Sequence, residues 1–216
     1  MLVLIFMVIV ITKPEFFEGE AEQIVQLLDS GRADIVHIRK PLVSLADSAR
    51  GLELAELAEL AGLAGLERLD GALADSAREL EKLVKSLPDR VYGRLVLHDC
   101  FELALKYQLH GVHLNSRHPQ PPQGFKGAIS ISCHSLEELA ECRKKPYAYM
   151  SLSPIFDSIS KPGYHSAFTA EEIAKARRQG LIDERVMALG GVTFDKVNDV
   201  LKMGFGGAMI LGDAWK

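Results

Sequence analysis

The chain has few cysteines, and their pattern supports neither a disulfide framework nor structural zinc. Its 216 residues include three, Cys100, Cys133 and Cys142. An odd number at wide spacing builds no disulfide framework, and no CxxC pair suggests a structural zinc site. We therefore expect a reducing, cytoplasmic setting for this protein.

A surplus of positive charge is also missing. Lys and Arg total 25 against 29 Asp and Glu, which gives a formal net charge of −4. Domains that bind nucleic acid usually carry a basic surplus, so we expect no nucleic-acid partner. This balance does not exclude a local basic pocket for a phosphate. The 48% content of hydrophobic residues argues against low-complexity disorder.

No apolar run is long enough to cross a membrane. The longest, Leu2 to Ile11, has ten residues, whereas a spanning helix needs about 20. No basic segment precedes it and no small-residue cleavage site follows, so we expect neither a membrane partner nor a signal peptide. The run is rich in Val and Ile and ends at a Thr-Lys-Pro sequence, which is typical of a buried strand.

Strand-like and helical segments alternate along the chain. The predicted strands are Leu2–Thr12, Asp34–Lys40, Arg94–Asp99, Gly111–Asn115, Ala128–His134, Tyr147–Pro154, Val186–Gly191 and Gly206–Gly212. Helical patterns lie between most of them, including one that begins with the capping-box sequence TAEE at 169–172. Such alternation means parallel pairing with right-handed crossovers. Eight units predict a single domain over 1–216, an α/β closed (βα)8 TIM barrel, with an open doubly wound sheet as the alternative.

The length leaves little room for a complete barrel, which usually takes about 250 residues. The sequence ends four residues after Gly212. We therefore expect the eighth helix to be missing or reduced to a turn. An apolar strip on the barrel wall would then be uncovered, and a second copy of the chain could cover it, which predicts a homodimer.

A duplicated segment follows the second strand. Residues 45–53 (LADSARGLE) and 73–81 (LADSARELE) match at eight of nine positions, 28 residues apart. Two copies are too few for a solenoid, so we interpret about 45–72 as a single helical insertion or duplication. It leaves from the face that carries active sites in this fold. A longer outer helical layer, a lid over the mouth and an engineered insertion are the open alternatives.

Histidines gather where the predicted strands end. Four of the seven lie at or near strand ends, namely His37, His98, His113 and His134. Active sites of parallel barrels lie at these ends. Alternation places Arg39 on the same face as His37, where its guanidinium can hold a phosphate or carboxylate. The cluster also admits a metal, but no two-His-one-carboxylate spacing falls within one element, so we predict no metal site.

Glycines and a lysine at the later strands suggest an anion site. Gly190, Gly191 and Gly212 end the seventh and eighth strands, where backbone N–H groups can approach a phosphate closely. Tight packing of strand on helix is the alternative explanation. Lys161 lies in a Ser- and Gly-containing loop (SISKPGYHS) after the sixth strand. It either contacts the anion or is a solvated lysine.

His134 is the strongest acid–base candidate. It follows the strand sequence ISISC and precedes SLEE, a capping-box pattern that would fix the ring at a strand–helix junction. An imidazole can both take and return a proton near neutral pH. Cys133 alternates to the other side of the strand, so we expect it to pack in the barrel wall.

These segments together resemble the thiamine phosphate synthase and TenI family. The matching pieces are HIR at 37–39, HD at 98–99 followed by FELAL, GVHL at 111–114, SCHSLEE at 132–138, SPIF at 153–156 with Lys161 downstream, ALGGV at 188–192 and GGAM at 206–209. Their order and spacing are specific, and they cover nearly the whole chain except about 45–72. The family has a (βα)8 barrel, in agreement with the alternation.

The resemblance implies one of two chemistries. The synthase joins an aminopyrimidine pyrophosphate to a thiazole phosphate with Mg²⁺. It typically carries Gln-x-Arg-x-Lys on the second strand, Asn-Asp on the third and an Asp after the fourth. Arg39 and Asp99 match this pattern, but the other positions hold His37, Pro41, His98 and, approximately, His118. Losing a lysine and a Mg²⁺ carboxylate weakens this interpretation, because neutralising the leaving group is most of that catalysis.

The TenI-type branch of thiazole tautomerases fits better, since it carries HIR and SxHSLEE. The implied enzyme is an isomerase that moves a proton to aromatise a carboxythiazole phosphate, and it needs no cofactor. Mg²⁺ would be required only if the protein were a synthase. The resemblance then makes His134 the catalytic group and gives Arg39 or Lys161 the carboxylate. Gly190, Gly191 and Gly212 hold the phosphate, and His37, His98, Asp99 and His113 complete the substrate pocket. A barrel that only binds phosphate ligands, natural or engineered, is the remaining alternative.

Overall fold

The computed structural model describes residues 6–41, 74–116, 118–157 and 166–216. Within them, eight parallel strands close into a barrel in chain order. The strands are β1 (Met7–Ile11), β2 (Ile35–Ile38), β3 (Leu95–Leu97), β4 (Gly111–Leu114), β5 (Ala128–Cys133), β6 (Tyr149–Leu152), β7 (Val186–Ala188) and β8 (Gly207–Ile210). The TIM barrel predicted from the sequence is confirmed, and the open sheet is excluded.

Helices follow most strands. They are α1 (Glu20–Asp29), α2 (residues 74–86), α3 (Phe101–Lys106), α4 (Leu136–Cys142), α5 (Ala170–Arg178) and α6 (Val197–Met203). Short 3₁₀ helices cover Asp89–Arg94, Phe194–Lys196 and Gly212–Trp215. The predicted insertion at about 45–72, with its lid and outer-layer alternatives, lies outside the described residues.

Side-chain caps start two of the helices, as the sequence patterns predict. At α5 the Thr169 hydroxyl accepts the Glu172 N–H, and the Glu172 carboxylate accepts the Thr169 N–H. This reciprocal pair is a complete capping box. At α4 the Ser135 hydroxyl accepts the Glu138 N–H at 3.1 Å. The Glu138 carboxylate reaches one residue further back than in a capping box, to the N–H of His134 at 2.7 Å.

Both faces of the strands are buried, which explains their nearly continuous apolar sequences. Outward side chains such as Val10, Val36 and Leu97 pack under the helices. Inward side chains form a separate cluster that fills the barrel interior: Ile9, Ile11, Ile35, Val96, Tyr149, Met187 and Met209. These side chains form a packed core, and the carboxyl ends of the strands lie above it.

The barrel closes where β8 meets β1, and this closure requires glycine. Met7 pairs with Gly207 in the parallel register of these strands. A Cβ atom on Gly207 would collide with the carbonyl oxygen of Met7 and the sulfur of Met187. The absence of a side chain therefore lets the first and last strands come together.

A short turn replaces an eighth helix after β8. The 3₁₀ segment Gly212–Trp215 ends in a buried indole, whose Nε1–H donates to the Ile11 carbonyl at 2.7 Å. The indole also packs edge-on against Phe17, with ring centroids 5.8 Å apart. Up to residue 216, the described chain therefore has a 3₁₀ turn where the sequence predicts an eighth helix that is missing or reduced to a turn. The homodimer stays a prediction. Among the helices that the structure describes, none is both long and apolar enough to cross a membrane.

Candidate active site

Two neighbouring strands carry polar side chains on their inward faces. These are Ser130, Ser132 and His134 along β5, and Tyr149, Ser151 and Ser153 along β6. The strand register pairs Ser130 with Tyr149 and Ser132 with Ser151. The Ser151 hydroxyl donates to Ser132 at 3.0 Å, and Ser153 Oγ lies 3.1 Å from His134 Nδ1. The polar pairs thus rise from the barrel interior to its mouth.

Three imidazoles meet inside the barrel below the mouth. His37 on β2, His98 just after β3 and His113 on β4 are 0%, 7% and 3% exposed. His37 Nδ1 lies 2.9 Å from His98 Nε2. The rings of His98 and His113 stack with centroids 4.3 Å apart. The structure therefore brings together three residues that the sequence placed on separate strands.

The three imidazoles are held by hydroxyl groups of β5 and β6. His37 Nε2 lies 2.6 Å from the Tyr149 hydroxyl. The two ring nitrogens of His113 each lie 2.9 Å from a serine hydroxyl, Ser130 for Nδ1 and Ser132 for Nε2. Because both ring nitrogens of His37 and of His113 have partners, the orientations of these two rings are fixed by hydrogen bonds between neutral groups.

Burial keeps two of these imidazoles uncharged. It lowers the pKa of His37 well below its usual value, with smaller contributions from the nearby His113 and His110. Burial also lowers the pKa of His113 to about 3, assisted by the positive charge of Arg39. Desolvation disfavours the charged imidazolium, so His37 and His113 are neutral at physiological pH. In the same interior, burial raises the pKa of the Tyr149 phenol, which stays protonated.

His134 occupies a different environment at the rim. Its side chain is exposed, and its backbone is fixed between β5 and α4 by the bond to Glu138. Among the described residues, only the Nδ1 atom of the ring has a hydrogen-bond partner, the Ser153 hydroxyl. Nε2 is therefore the ring atom available to a ligand in the mouth.

Arg39 and Asp99 lie at the ends of neighbouring strands. The backbone N–H of Arg39 donates to the Thr12 hydroxyl at 3.0 Å, and its side chain is half-buried. Its charge is close enough to contribute to the low pKa of His113. Asp99 is 1% exposed, and its Oδ1 atom lies 3.4 Å from His118 Nε2. His118 thus lies next to the Asp99 carboxylate. The resemblance places a second carboxylate of the synthases at about this position.

The lysine nearest the end of β2 does not face the mouth. Lys40 and Glu20 are both 2% exposed and form an ion pair with Nζ to Oε1 at 2.6 Å. The ammonium also donates to the carbonyls of Lys13 and Glu15. Burial is the main influence on both groups, raising the pKa of Glu20 and lowering that of Lys40. This lysine anchors the β1–α1 loop instead of neutralising a ligand.

The glycine pair after β7 lies against the loop after β6. Gly190 and Gly191 have φ values of 90° and 62°. A Cβ atom on Gly190 would lie 2.6 Å from Pro154 Cα, and one on Gly191 would collide with the Asp157 carbonyl oxygen. Close packing of the two loops therefore requires both glycines. Gly212, by contrast, is exposed and has open space beside it.

Two further polar groups accompany this loop. The Lys196 ammonium donates to the Gly191 carbonyl at 3.0 Å. The Thr193 hydroxyl is buried without a hydrogen-bond partner among the described residues. Lys161 lies outside the described residues. Cys133 is fully buried in the apolar wall, as the sequence predicts, and burial raises the pKa of its thiol.

Sequence reasoning missed the hydroxyl groups that hold the imidazoles, although a signal was present. Strands buried on both faces are normally apolar throughout. In AISISC (128–133) and YMSLS (149–153), hydroxyl side chains instead occupy every second position. This period-two pattern indicates a polar barrel interior on the β5–β6 side. The buried Lys40–Glu20 pair has no comparable sequence signal.

Comparisons with known proteins agree with this architecture. The family model described as thiamine monophosphate synthase matches residues 8–212. The thiamine-phosphate synthase of Bacillus mycoides is 27% identical over 159 residues, covering 67% of this chain and 68% of the relative. A thiamine phosphate pyrophosphorylase crystal structure from Bacteroides thetaiotaomicron superposes with a TM-score of 0.70 and 34% identity, covering 97% of this chain and 85% of that one.

A thiamine phosphate pyrophosphorylase from Pyrococcus furiosus shares the fold, with a TM-score of 0.56 and 21% identity over 97% of this chain and 90% of that one. The match of the family model spans the strands that carry the three buried histidines, His134 and the glycine pair. The resemblance found in the sequence is confirmed at the level of the family. The chain belongs to the thiamine monophosphate synthase family of enzymes.

Proposed function

We propose that this protein is a thiazole tautomerase that moves a proton within a carboxythiazole phosphate, with His134 as the acid–base group. The observation that carries the proposal is the position of His134. Its ring lies at the carboxyl ends of the strands, where Ser153 orients it through Nδ1 and Nε2 is accessible to a ligand. A single imidazole in this position can serve both halves of a proton shift.

The reaction is balanced without any other reactant. Nε2 takes a proton from one carbon of the substrate and becomes part of an imidazolium. The same group then returns the proton to a second carbon, which leaves an isomer and a neutral His134. Ser153 supports both states, because its hydroxyl can accept from or donate to Nδ1. Such proton transfer contributes about 10²–10⁴-fold to a rate.

Groups around the mouth supply partners for an anionic substrate. Arg39 is the half-buried guanidinium at the end of β2 and suits the carboxylate. The phosphate is assigned to the loops after β7 and β8. These loops carry Gly190, Gly191 and Gly212, together with Thr193, whose hydroxyl has no hydrogen-bond partner among the described residues. Lys161 is the second cation proposed for the substrate.

The residues present do not fit the Mg²⁺ site of a synthase. Mg²⁺ prefers carboxylate and phosphate oxygens in octahedral geometry. Beside Asp99 stands His118 instead of a second carboxylate, and Lys40 is held by Glu20. In residues 6–41, 74–116, 118–157 and 166–216, the one cluster of potential metal ligands consists of three imidazoles.

Synthase activity is the second candidate, because the relatives named above are synthases and pyrophosphorylases. Arg39 and Asp99 also match the synthase pattern. On this alternative the protein would join a pyrimidine pyrophosphate to a thiazole phosphate.

One set of assays separates the candidates. The wild-type protein is given the carboxythiazole phosphate tautomer alone, and separately both synthase substrates, each with and without Mg²⁺. We expect isomerisation without metal and no thiamine phosphate. His134→Ala should lower isomerisation by about 10²–10⁴-fold with little change in ligand affinity. His110→Gln, a half-buried residue at the amino end of β4, serves as the control with unchanged activity.

Two outcomes would overturn the proposal. Mg²⁺-dependent formation of thiamine phosphate would establish the synthase. Binding of the thiazole phosphate with no turnover in either assay would establish a barrel that only binds its ligand.

A further inference from the structure

The buried imidazoles of the barrel interior have no role in the proton shift, and their arrangement suggests another. His37, His98 and His113 each offer one ring nitrogen, and these three nitrogens lie within 4.8 Å of one another. Two of them, His37 Nδ1 and His98 Nε2, are already 2.9 Å apart. Three nitrogen donors that converge from three strands are the usual protein contribution to an open four-coordinate zinc site.

We propose that His37, His98 and His113 bind one divalent transition-metal ion of the Zn²⁺ class. Imidazole nitrogens suit Zn²⁺, Co²⁺ and Ni²⁺, whereas Mg²⁺ and Ca²⁺ prefer oxygen. The site is independent of the proposed function, which needs no metal. It is also distinct from the carboxylate site that the resemblance associates with Mg²⁺ in synthases.

The hydroxyl groups around the cluster provide the outer contacts that such a site needs. A ligating histidine usually donates its second ring N–H to a partner that fixes its orientation. The Tyr149 hydroxyl lies 2.6 Å from His37 Nε2 and can accept that proton. His37 Nδ1 then carries the lone pair, and this atom points at His98.

The cluster needs small adjustments to hold an ion. With Zn–N bonds of about 2.0–2.1 Å, tetrahedral nitrogens are roughly 3.3 Å apart, so His37 and His98 open slightly and His113 moves in. His113 would give up one of its two serine bonds. Each serine keeps another partner, since Ser132 accepts from Ser151 and Ser130 donates to Val112. The exchange therefore leaves no buried hydroxyl unpaired.

The charge of Arg39 predicts the direction in which one substitution changes the metal affinity. Its positive charge acts on His113 from nearby and must also repel a metal ion at this site. Removing that charge in Arg39→Gln should therefore tighten metal binding. If the histidines only form a hydrogen-bonded core, Arg39→Gln has no metal affinity to change.

The experiment uses the full chain after dialysis against a chelator and then against buffer. Zn²⁺ is titrated by calorimetry, and Co²⁺ binding is followed by its visible absorption. We expect one ion per chain, with a Co²⁺ spectrum of nitrogen and oxygen ligation and no thiolate charge-transfer band. The last point separates this site from Cys133 and Cys142, which lie close to each other.

The variants use residues that the resemblance places at these positions in synthases. His37→Gln and His98→Asn each remove one ligand and should weaken Zn²⁺ binding by at least about 100-fold. Tyr149→Phe removes only the group that orients His37 and should weaken binding by about 10–100-fold. Tyr92→Phe is the matched control, because this half-buried hydroxyl lies outside the cluster and donates to the Val84 carbonyl, so its loss should leave the affinity unchanged.

The result that overturns the proposal is equally direct. Wild-type protein that binds less than a tenth of an equivalent of Zn²⁺, or that binds equally well as the His37→Gln and His98→Asn variants, has no site here. A thiolate band in the wild-type Co²⁺ spectrum would also overturn it, and this reading does not depend on whether any variant folds.

Discussion

The Ser153 hydroxyl at the end of β6 lies 3.1 Å from Nδ1 of His134 at the end of β5. Ser153 is 8% exposed and faces the same side of its strand as Tyr149 and Ser151. The pair closes the top of the polar column that begins inside the barrel. It orients the exposed imidazole through Nδ1, the ring atom that the proposed proton shift does not use.

Replacing Ser153 by Ala should therefore slow isomerisation more than it weakens binding. The ring loses its orienting partner but keeps Nε2, so we expect kcat to fall by roughly tenfold, a part of the contribution of proton transfer. KM should change little. Steady-state kinetics check this, with Ser86→Ala on the exposed face of α2 as control. An unchanged kcat would show that Ser153 does not position the base.

The glycine pair after β7 predicts a difference in stability between two substitutions. Gly31→Ala meets open space at φ 71°, so it carries only the cost of a left-handed backbone, about 1–2 kcal/mol. Gly191→Ala has a similar φ, but its Cβ collides with the backbone of Phe156 and Asp157. Urea unfolding should show a clearly larger loss for Gly191→Ala. Equal losses would mean that the loops after β6 and β7 do not pack as described.

Neutral buried histidines make stability depend on pH. The folded-state pKa values of His37 and His113 lie below the unfolded value of about 6.5, with that of His113 at about 3. The unfolded chain therefore binds more protons between these values, and stability falls as pH decreases from about 6.5 toward 3. Each histidine lowers the free energy of unfolding by up to about 1.4 kcal/mol for every pH unit of this decrease. The stabilising contribution is fully present above pH 6.5.

Urea unfolding of the metal-free protein at several pH values measures this slope. Because carboxylates titrate in the same range, the decisive quantity is the difference between the wild-type protein and His37→Gln. We expect the variant to have the shallower slope. Parallel slopes would show that His37 is not held neutral by burial.

The buried pair of Lys40 and Glu20 predicts a strongly non-additive mutant cycle. Lys40→Met leaves the Glu20 carboxylate buried without its cation and should cost about 3–5 kcal/mol. The double variant Glu20→Met/Lys40→Met removes both charges and should be much closer to the wild type. Lys82→Met breaks an exposed ion pair on α2 and should cost less than about 1 kcal/mol. A double variant as unstable as Lys40→Met alone would contradict this account.

Much of the fold was predictable because each strand shows its own pattern. Alternation of apolar strands with helical segments fixed the number and direction of the strands, and TAEE at 169–172 predicted the start of α5. Strand lengths were overestimated, since Asp34–Lys40 contains a strand only at Ile35–Ile38. Beyond the strand ends, the Arg39 N–H donates to the Thr12 hydroxyl and the Lys40 ammonium to Glu20, and local propensity does not reveal these side-chain contacts.

The site was predictable only in part, because sequence gives the strand end but not the depth. His37, His98, His113 and His134 share the carboxyl side of the barrel. Three of them lie inside it and only His134 reaches the rim. That distinction depends on the stagger between strands, which a single sequence does not encode locally. The hydroxyl groups that hold the imidazoles belong to β5 and β6, which are distant from β2 in the sequence. Only the three-dimensional structure brings them together.

The most direct test of the central claim is solvent-proton exchange at the substrate. The metal-free wild-type protein and His134→Ala are each incubated with the carboxythiazole phosphate in D₂O, and deuterium incorporation is followed by NMR. We expect the wild type to form the aromatic isomer, with deuterium at the protonated carbon to the extent that the exposed His134 imidazolium exchanges its proton with solvent before returning it. His134→Ala should do so at least about 100-fold more slowly. Equal rates for the two proteins, or no isomer from the wild type, would contradict the assignment of His134 as the acid–base group.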